Sequence, residues 1–371
     1  MTSATLSLAW ATPATGSSAQ GNVVAFVVTL AALVVAAATT PLARRLSFRW
    51  GIVAEPGGRR QHHGRMPKLG GLAVAAGWAV GVALIYLLRP PGNPDDALRL
   101  RGVVLGSLIV LAGGLLDDRY DLPPWAQLVI QLSGALVAIA HIIFIEVFTN
   151  PLPGTALWQA IPLFRVEGTL VWIWRPLALL FTTFWIIGML NAINFLDGLD
   201  GLAAGVCLIA AVFFAVHSFR LGQSTVPLFP LALAGALLGF LPFNFSPARI
   251  FLGSAGAYFL AYQVATLSIL SPAKLSTALL VLAVPIIDVA WQIVSRLRQG
   301  RHPMSSDRGH LHFRLADSGL PTPRIVLGYY SVALVFGLMA VLVSSPLLKL
   351  VLLAALAVGV LALLLRLSKR T

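Results

Sequence analysis

Apolar residues run in blocks of about twenty along most of the chain, separated by short polar segments. A bilayer-spanning helix needs about 20 apolar residues. Eleven blocks meet or approach that length: roughly 22–42, 69–88, 102–116, 124–149, 170–190, 201–219, 226–243, 251–270, 276–294, 325–344 and 346–366. The pattern predicts an all-α polytopic membrane protein with about 11 transmembrane helices in one domain over 22–366. The block at 102–116 is short for a full span, the fifth carries Arg175, and the seventh and ninth carry prolines. Residues 1–21, rich in Ala, Ser and Thr, read as a disordered tail, and 367–371 as a short basic tail. No internal repeat is visible.

Composition strengthens this picture. Hydrophobic residues make up 58% of the 371, and charged residues only 11%, against roughly 25% in a soluble domain. Mean hydropathy is +0.87. A soluble enzyme, a disordered chain and a disulfide scaffold are all excluded. The single cysteine, Cys207, rules out an intramolecular disulfide and a cysteine-based metal site. The first 43 residues hold no Lys or Arg, so the basic segment of a signal peptide is not expected.

Net charge is +13. In a soluble protein that would suggest nucleic acid. Here no nucleic acid partner is expected, and the charge reads as basic loops beside anionic lipid or as a site for phosphorylated ligands. Loop charge sets orientation. With the N-terminus outside and the C-terminus inside, 18 of the 26 Lys and Arg fall on inner segments. The inner loops are then 43–68, 117–123, 191–200, 244–250 and 295–324. Nine of the 13 acidic residues lie at the same face: Glu55, Asp117, Asp118, Asp121, Asp197, Asp200, Asp288, Asp307 and Asp317. Carboxylates in an apolar protein are costly unless solvated, paired or metal-bound. Their gathering among basic loops suggests a polyanion site with a divalent cation.

Several segments carry candidate chemistry. Gly113 to Asp121 ends the third block, and its adjacent Asp117 and Asp118 suit Mg²⁺ binding or proton abstraction, or only a solvated helix end. Asp121, before Pro123-Pro124, reads as a cap for the next helix. Asn191 to Gly205 holds Asn191, Asn194, Asp197 and Asp200, the amides and the acids each three apart and so on one face if helical. Gly198 and Gly201 allow close backbone approach to a ligand. In the segment 241–256, Asn244 can read the amide-like edge of a base and Phe251 can stack on a ring; an ordinary Pro-kinked turn is the alternative. The basic stretch 296–315 suits pyrophosphate through its arginines, and His310 and His312 lie within it. Asp307-Arg308 reads as a local ion pair. The loop 51–71 reads as orientation charge.

Together these segments resemble the polyprenyl-phosphate N-acetylhexosamine-1-phosphate transferases over about 51–345, with the family's motifs in order. The His310-Leu311-His312 stretch is more similar to the branch that starts O-antigen and teichoic-acid carriers than to the lipid I synthases. The resemblance implies transfer of N-acetylhexosamine-1-phosphate, here GlcNAc-1-phosphate, from a UDP-sugar to undecaprenyl phosphate. Its products are a polyprenyl-diphospho-sugar and UMP, and Mg²⁺ (or Mn²⁺) is the cofactor. Residue by residue it implies catalytic roles for Asp117, Asp118 and Asp200, and metal binding by Asp117, Asp118 and Asp197. Substrate contacts fall to Asn191, Asn194, Asp197, Gly198, Leu199, Asn244, Phe251, Arg60, His62, Arg301, Arg308, His310 and His312. A bacterial inner-membrane location, a cytoplasmic site and room for a homodimer follow from the same likeness.

This chain departs from the family pattern in several places. Ser254 stands where an acidic metal ligand is usual, Gln127 where Lys is usual, Phe313 where a further His is frequent, and Ala54 where an acid is frequent, with Glu55 adjacent. A relative that binds lipid phosphate or nucleotide sugar with little or no turnover is therefore an alternative. A transporter is a third, although its polar residues would gather at the midplane.

Overall fold

The computed structural model describes residues 18–55, 64–152, 161–167, 170–270, 272–300 and 309–368. Thirteen helices are formed among them. They are α1 Ser18–Arg49, α2 Gly70–Leu88, α3 Pro94–Tyr120, α4 Pro124–Ala140, α5 Arg175–Leu196, α6 Leu202–Arg220, α7 Leu228–Asn244, α8 Gly253–Ile269, α9 Pro272–Val281, α10 Ala283–Arg298, α11 Leu311–Asp317, α12 Thr322–Leu342 and α13 Pro346–Ser368.

Seven of these are long and apolar enough to cross a bilayer, and eight if the pair α9–α10, bent by 74°, counts as one span. The architecture is that of a polytopic helical membrane protein, with fewer qualifying spans than the eleven blocks predict. α4 and α7, at 17 residues each, are shorter apolar helices. The block 124–149 is helical only to Ala140. Its remainder enters a small antiparallel sheet of β3 (Val147–Thr149), β4 (Phe164–Glu167) and β5 (Leu170–Ile173), in the order β3-β5-β4. The block 170–190 starts in β5 and becomes helical only at Arg175. Hydrophobic content alone does not separate such strands from a buried helix. A second sheet pairs β1 (Val53–Ala54) with β2 (Met66–Pro67) antiparallel, Val53 opposite Pro67.

α3 runs 27 residues rather than the short 102–116, because its start is strongly capped. Asn93 accepts the Asp96 N–H at 2.7 Å, Pro94 opens the helix, and Asp95 and Asp96 sit in the first turn. Asn93→Ala should cost about 1 kcal/mol, read as a lower thermal unfolding midpoint in detergent. Helix ends also move inward on the expected loops. α1 continues to Arg49, α5 to Leu196 and α10 to Arg298, and the expected tail is already helical at Ser18.

α8 is the centre of the bundle. Apart from half-buried Ser254 and Ile269, it is buried along its length, and it packs against α2, α3, α5, α6 and α9. A helix that is apolar all round belongs in such a position. The outer helices carry exposed apolar side chains, among them Phe26, Leu87, Phe184 and Val358, as a lipid-facing surface requires.

Candidate active site

The ends of α1, α3, α5 and α7 meet the starts of α2, α6 and α8 at one end of the bundle. Asp118, at the end of α3, is the anchor. Its Oδ1 accepts the Ser254 N–H and its Oδ2 the Ala255 N–H, both at 3.0 Å. These are orphan donors of the first turn of α8, where a negative charge is favoured. Lys68 completes the arrangement, with Nζ 3.2 Å from Asp118 Oδ1. Gly253 makes the approach possible: its φ is +76°, and a Cβ there would lie 2.1 Å from the Lys68 carbonyl oxygen.

Asp117 points elsewhere. Its Oδ1 accepts from Gln127 Nε2 at 3.0 Å and from the Leu122 N–H at 3.2 Å. One turn along α4, Gln131 pairs with Asn191 of α5 through two amide bonds, Gln131 Nε2 to Asn191 Oδ1 at 3.3 Å and Asn191 Nδ2 to Gln131 Oε1 at 2.9 Å. Gln131 is fully buried. Gln131→Ala should cost about 1–3 kcal/mol, because the Asn191 amide loses its partner in a buried site. Adding Asn191→Ala should cost less than the sum of the two single changes. Asp121 is not a cap for α4. It takes the left-handed C-cap position of α3, with φ 47°, and donates its N–H to the Asp117 carbonyl.

The acidic turn follows α5. Asn191 and Asn194 are helical and share a face, whereas Asp197 is the C-cap and the chain turns through 198–201. Asp197 and Asp200 are therefore not on one helical face. Asp200 Oδ2 accepts the Ala248 N–H at 2.9 Å, tying this turn to the one after α7. Gly201, φ +78°, starts α6 with its carbonyl bonded to the Tyr330 hydroxyl. Gly198 faces α11: a Cβ there would lie 2.5 Å from His312 Nε2. Leu199 beside it is half-buried.

His310 and His312 are both buried. His310 Nδ1 lies 3.0 Å from Asp288 Oδ2, and Asp288 Oδ1 accepts the Leu311 N–H. The His310 ring stacks between Phe195, at 5.1 Å, and His312, at 5.8 Å. Asn244 is buried and donates its Nδ2 to the Ile250 carbonyl, so that amide group closes its own turn. Phe251 is half-buried; its N–H donates to the Pro67 carbonyl and its carbonyl accepts from Gly70.

Glycosyl transferase family 4 matches residues 100–272. A probable undecaprenyl-phosphate N-acetylglucosaminyl 1-phosphate transferase of Bacillus subtilis is 32% identical over 87% of this chain and 85% of its own length. The chain belongs to this family. Other members are similar as well. A decaprenyl-phosphate N-acetylglucosaminephosphotransferase of Mycolicibacterium smegmatis is 34% identical over 81% of this chain and 77% of its own. A phospho-N-acetylmuramoyl-pentapeptide-transferase of Heliobacterium modesticaldum is 31% identical over 82% and 92%.

In this family 4 chain the expected site residues divide. Asp117, Asp118, Asn191, Asn194, Asp197, Gly198, Leu199, Asp200, Asn244, Phe251, His310 and His312 lie on the segments joined above. Arg60, His62, Arg301, Arg308 and the Asp307-Arg308 pair lie outside the described residues. Among the described residues, no group of three or more His, Cys, Asp or Glu is arranged to hold a metal. Mg²⁺ often takes only one or two carboxylates and lets substrate phosphates complete its shell. Asp117 fits that use, since both of its bonds above fall on Oδ1, and Asp197 is half-buried at a helix end.

Nothing in the sequence alone marks Lys68 or Gln131 as a site residue, and Asp288 stands out only as one of the acidic residues of the inner face. Lys68 passes for orientation charge and Gln131 for a stray polar residue in an apolar block. Asp288 carries no local motif.

Proposed function

We propose that this chain transfers GlcNAc-1-phosphate from UDP-GlcNAc to a polyprenyl phosphate, undecaprenyl phosphate by preference, as the first membrane step of an envelope polysaccharide. A lipid-phosphate oxygen attacks the β-phosphorus of the nucleotide sugar. The bond from that phosphorus to the bridging oxygen breaks, UMP leaves with the bridging oxygen, and a polyprenyl-diphospho-sugar remains. The observation that carries the reading is the joining of the Asp117-Asp118, Asn191–Asp200 and His310–His312 segments at one end of the bundle. Membership of a family with such relatives supports it.

In this reading the bundle end faces the cytoplasm of a bacterial inner membrane, with the N-terminus outside and the C-terminus inside. The lipid tail stays in the bilayer while its phosphate meets a soluble donor. Mg²⁺, or Mn²⁺, would be held by Asp117 and Asp197 and would neutralise the diphosphate. Catalysis by positioning and charge neutralisation suits phosphoryl transfer. Asn191 and Asn194 shape the donor side, Gly198 lets the turn approach His312, and Leu199 beside it contacts the donor. The arginines of the basic loop offset the charge of two anionic substrates. A homodimer is compatible with this arrangement.

Purified protein in detergent, given undecaprenyl phosphate and UDP-GlcNAc, should release UMP, and EDTA should stop it. Silence with UDP-GlcNAc but release with another UDP-N-acetylhexosamine would change the sugar and keep the class. A second reading, binding without turnover, is favoured by Ser254. No release from wild type but clear release from Ser254→Asp would establish it.

A further inference from the structure

Asp118 is a fully buried carboxylate whose charge is balanced from within the chain. Its side chain has no exposure and that of Lys68 only 7%. The Lys68 ammonium is 3.2 Å from Oδ1 and 3.3 Å from the Asp118 carbonyl oxygen. The two α8 N–H groups take one carboxylate oxygen each. The buried carboxylate thus has a hydrogen bond on each oxygen and an opposite charge beside it.

The lysine is also held at its backbone. Its N–H donates to Ser47 Oγ at 2.9 Å, and Ser47 Oγ in turn donates to the Ile52 carbonyl. Pro67, the residue before it, is paired with Val53 in the β1–β2 hairpin. Two residues after it, Gly70 donates to the Phe251 carbonyl. A divalent ion on Asp118 would have to share a closed pocket with this ammonium, and like charges at such range repel strongly. Ser254, beside the carboxylate, offers only a neutral hydroxyl, a weak ligand for Mg²⁺.

We propose that Lys68 is the resident cation of this site: it neutralises Asp118 in place of a divalent metal, and Asp118 is a positioning residue that locks α3 to the start of α8. The proposal rests on the transferase reading for its place in turnover, but its test does not. Any divalent ion that serves the reaction is left to Asp117 and Asp197.

The test uses Mn²⁺ alone on the purified full chain in detergent, with free Mn²⁺ read by electron paramagnetic resonance. Wild type and Asp118→Asn should take up Mn²⁺ alike, within about twofold. A loss of about tenfold or more in Asp118→Asn would make Asp118 a metal ligand and overturn the proposal. Lys68→Met leaves the carboxylate without its cation, so Mn²⁺ should now stand in for it and raise the unfolding midpoint by about 5 °C. The wild type, with no second site to fill, should rise by clearly less, and a Lys68→Met midpoint that rises no more than the wild type's would count against the proposal. Lys68→Met/Asp118→Asn, which carries neither charge, guards against a variant that simply fails to fold. It should unfold above Lys68→Met alone, and an equal or lower midpoint would overturn the pairing. Failure of the wild type to release UMP would remove the transferase reading and leave the Mn²⁺ comparison standing.

Discussion

Asp200→Asn should lower UMP release by about a hundredfold or more, with membrane insertion and thermal stability close to wild type. Asp200 makes one described bond, accepting the Ala248 N–H on Oδ2. Asparagine can keep that acceptor, so the link between the two turns survives and only the charge is lost. Removing one well-placed electrostatic group from a site costs about 10²–10³ in rate. Asp117→Asn should behave similarly, because its amide oxygen can still accept from Gln127 and Leu122. The measurement is turnover with both substrates saturating, beside a gel-filtration profile and an unfolding midpoint. Near-wild-type turnover in both variants would move the chemistry away from these carboxylates.

Gly71→Ala should be among the most damaging single-methyl changes in the bundle. A Cβ there would lie 2.2 Å from Gly256 Cα and 2.3 Å from Gly256 N. Both are backbone atoms of α8, so no side chain can rotate out of the way. α2 and α8 would have to separate, breaking the bonds from Gly70 to the Phe251 carbonyl and from Gly71 to the Leu252 carbonyl, 3.0 and 2.8 Å. Small residues at helix contacts exist for this close approach. Overpacking of this kind costs about 1–3 kcal/mol, and more where backbone must move. The expected result is a low yield of monodisperse protein and a midpoint well below wild type. Because α8 presents the donors that hold Asp118, what protein survives should also be slow. A Gly71→Ala protein as stable as wild type would mean that the two helices pack less tightly than these distances require.

Much of this was visible along the chain, and the gaps have a common cause. Asp117, Asp118 and the segment from Asn191 to Gly205 stand out because carboxylates and amides in apolar surroundings are rare and locally grouped. The helical blocks are visible for the same local reason. Lys68 was not, since its partner lies 50 positions away, and a lysine in a basic loop has a sufficient explanation already. Gln131 meets Asn191 across 60 positions, and Asp288 meets His310 across 22. β3 and β5 read as the ends of two spans because their apolar content matches that of a helix and their alternation is too brief to register, while β4 falls in the gap between those spans. The reach of α3 back to Pro94 is hidden in the sequence because the charged stretch 95–101 masks a well-capped first turn.

The bond between Asp118 and Ser254 spans 136 positions, and this has a bearing on how the protein is made. A ribosome adding about 5–20 residues per second takes roughly ten seconds to cover that interval. For that time the Lys68–Asp118 pair exists without the helix that encloses it. Until then Asp118, at the end of α3, and Lys68, just before α2, lack the α8 donors that complete their surroundings. The lock between α3 and α8 therefore closes only after most of the chain has been made. A chain stopped shortly before residue 253 should be left with an unfinished charged end, a natural target for membrane quality control.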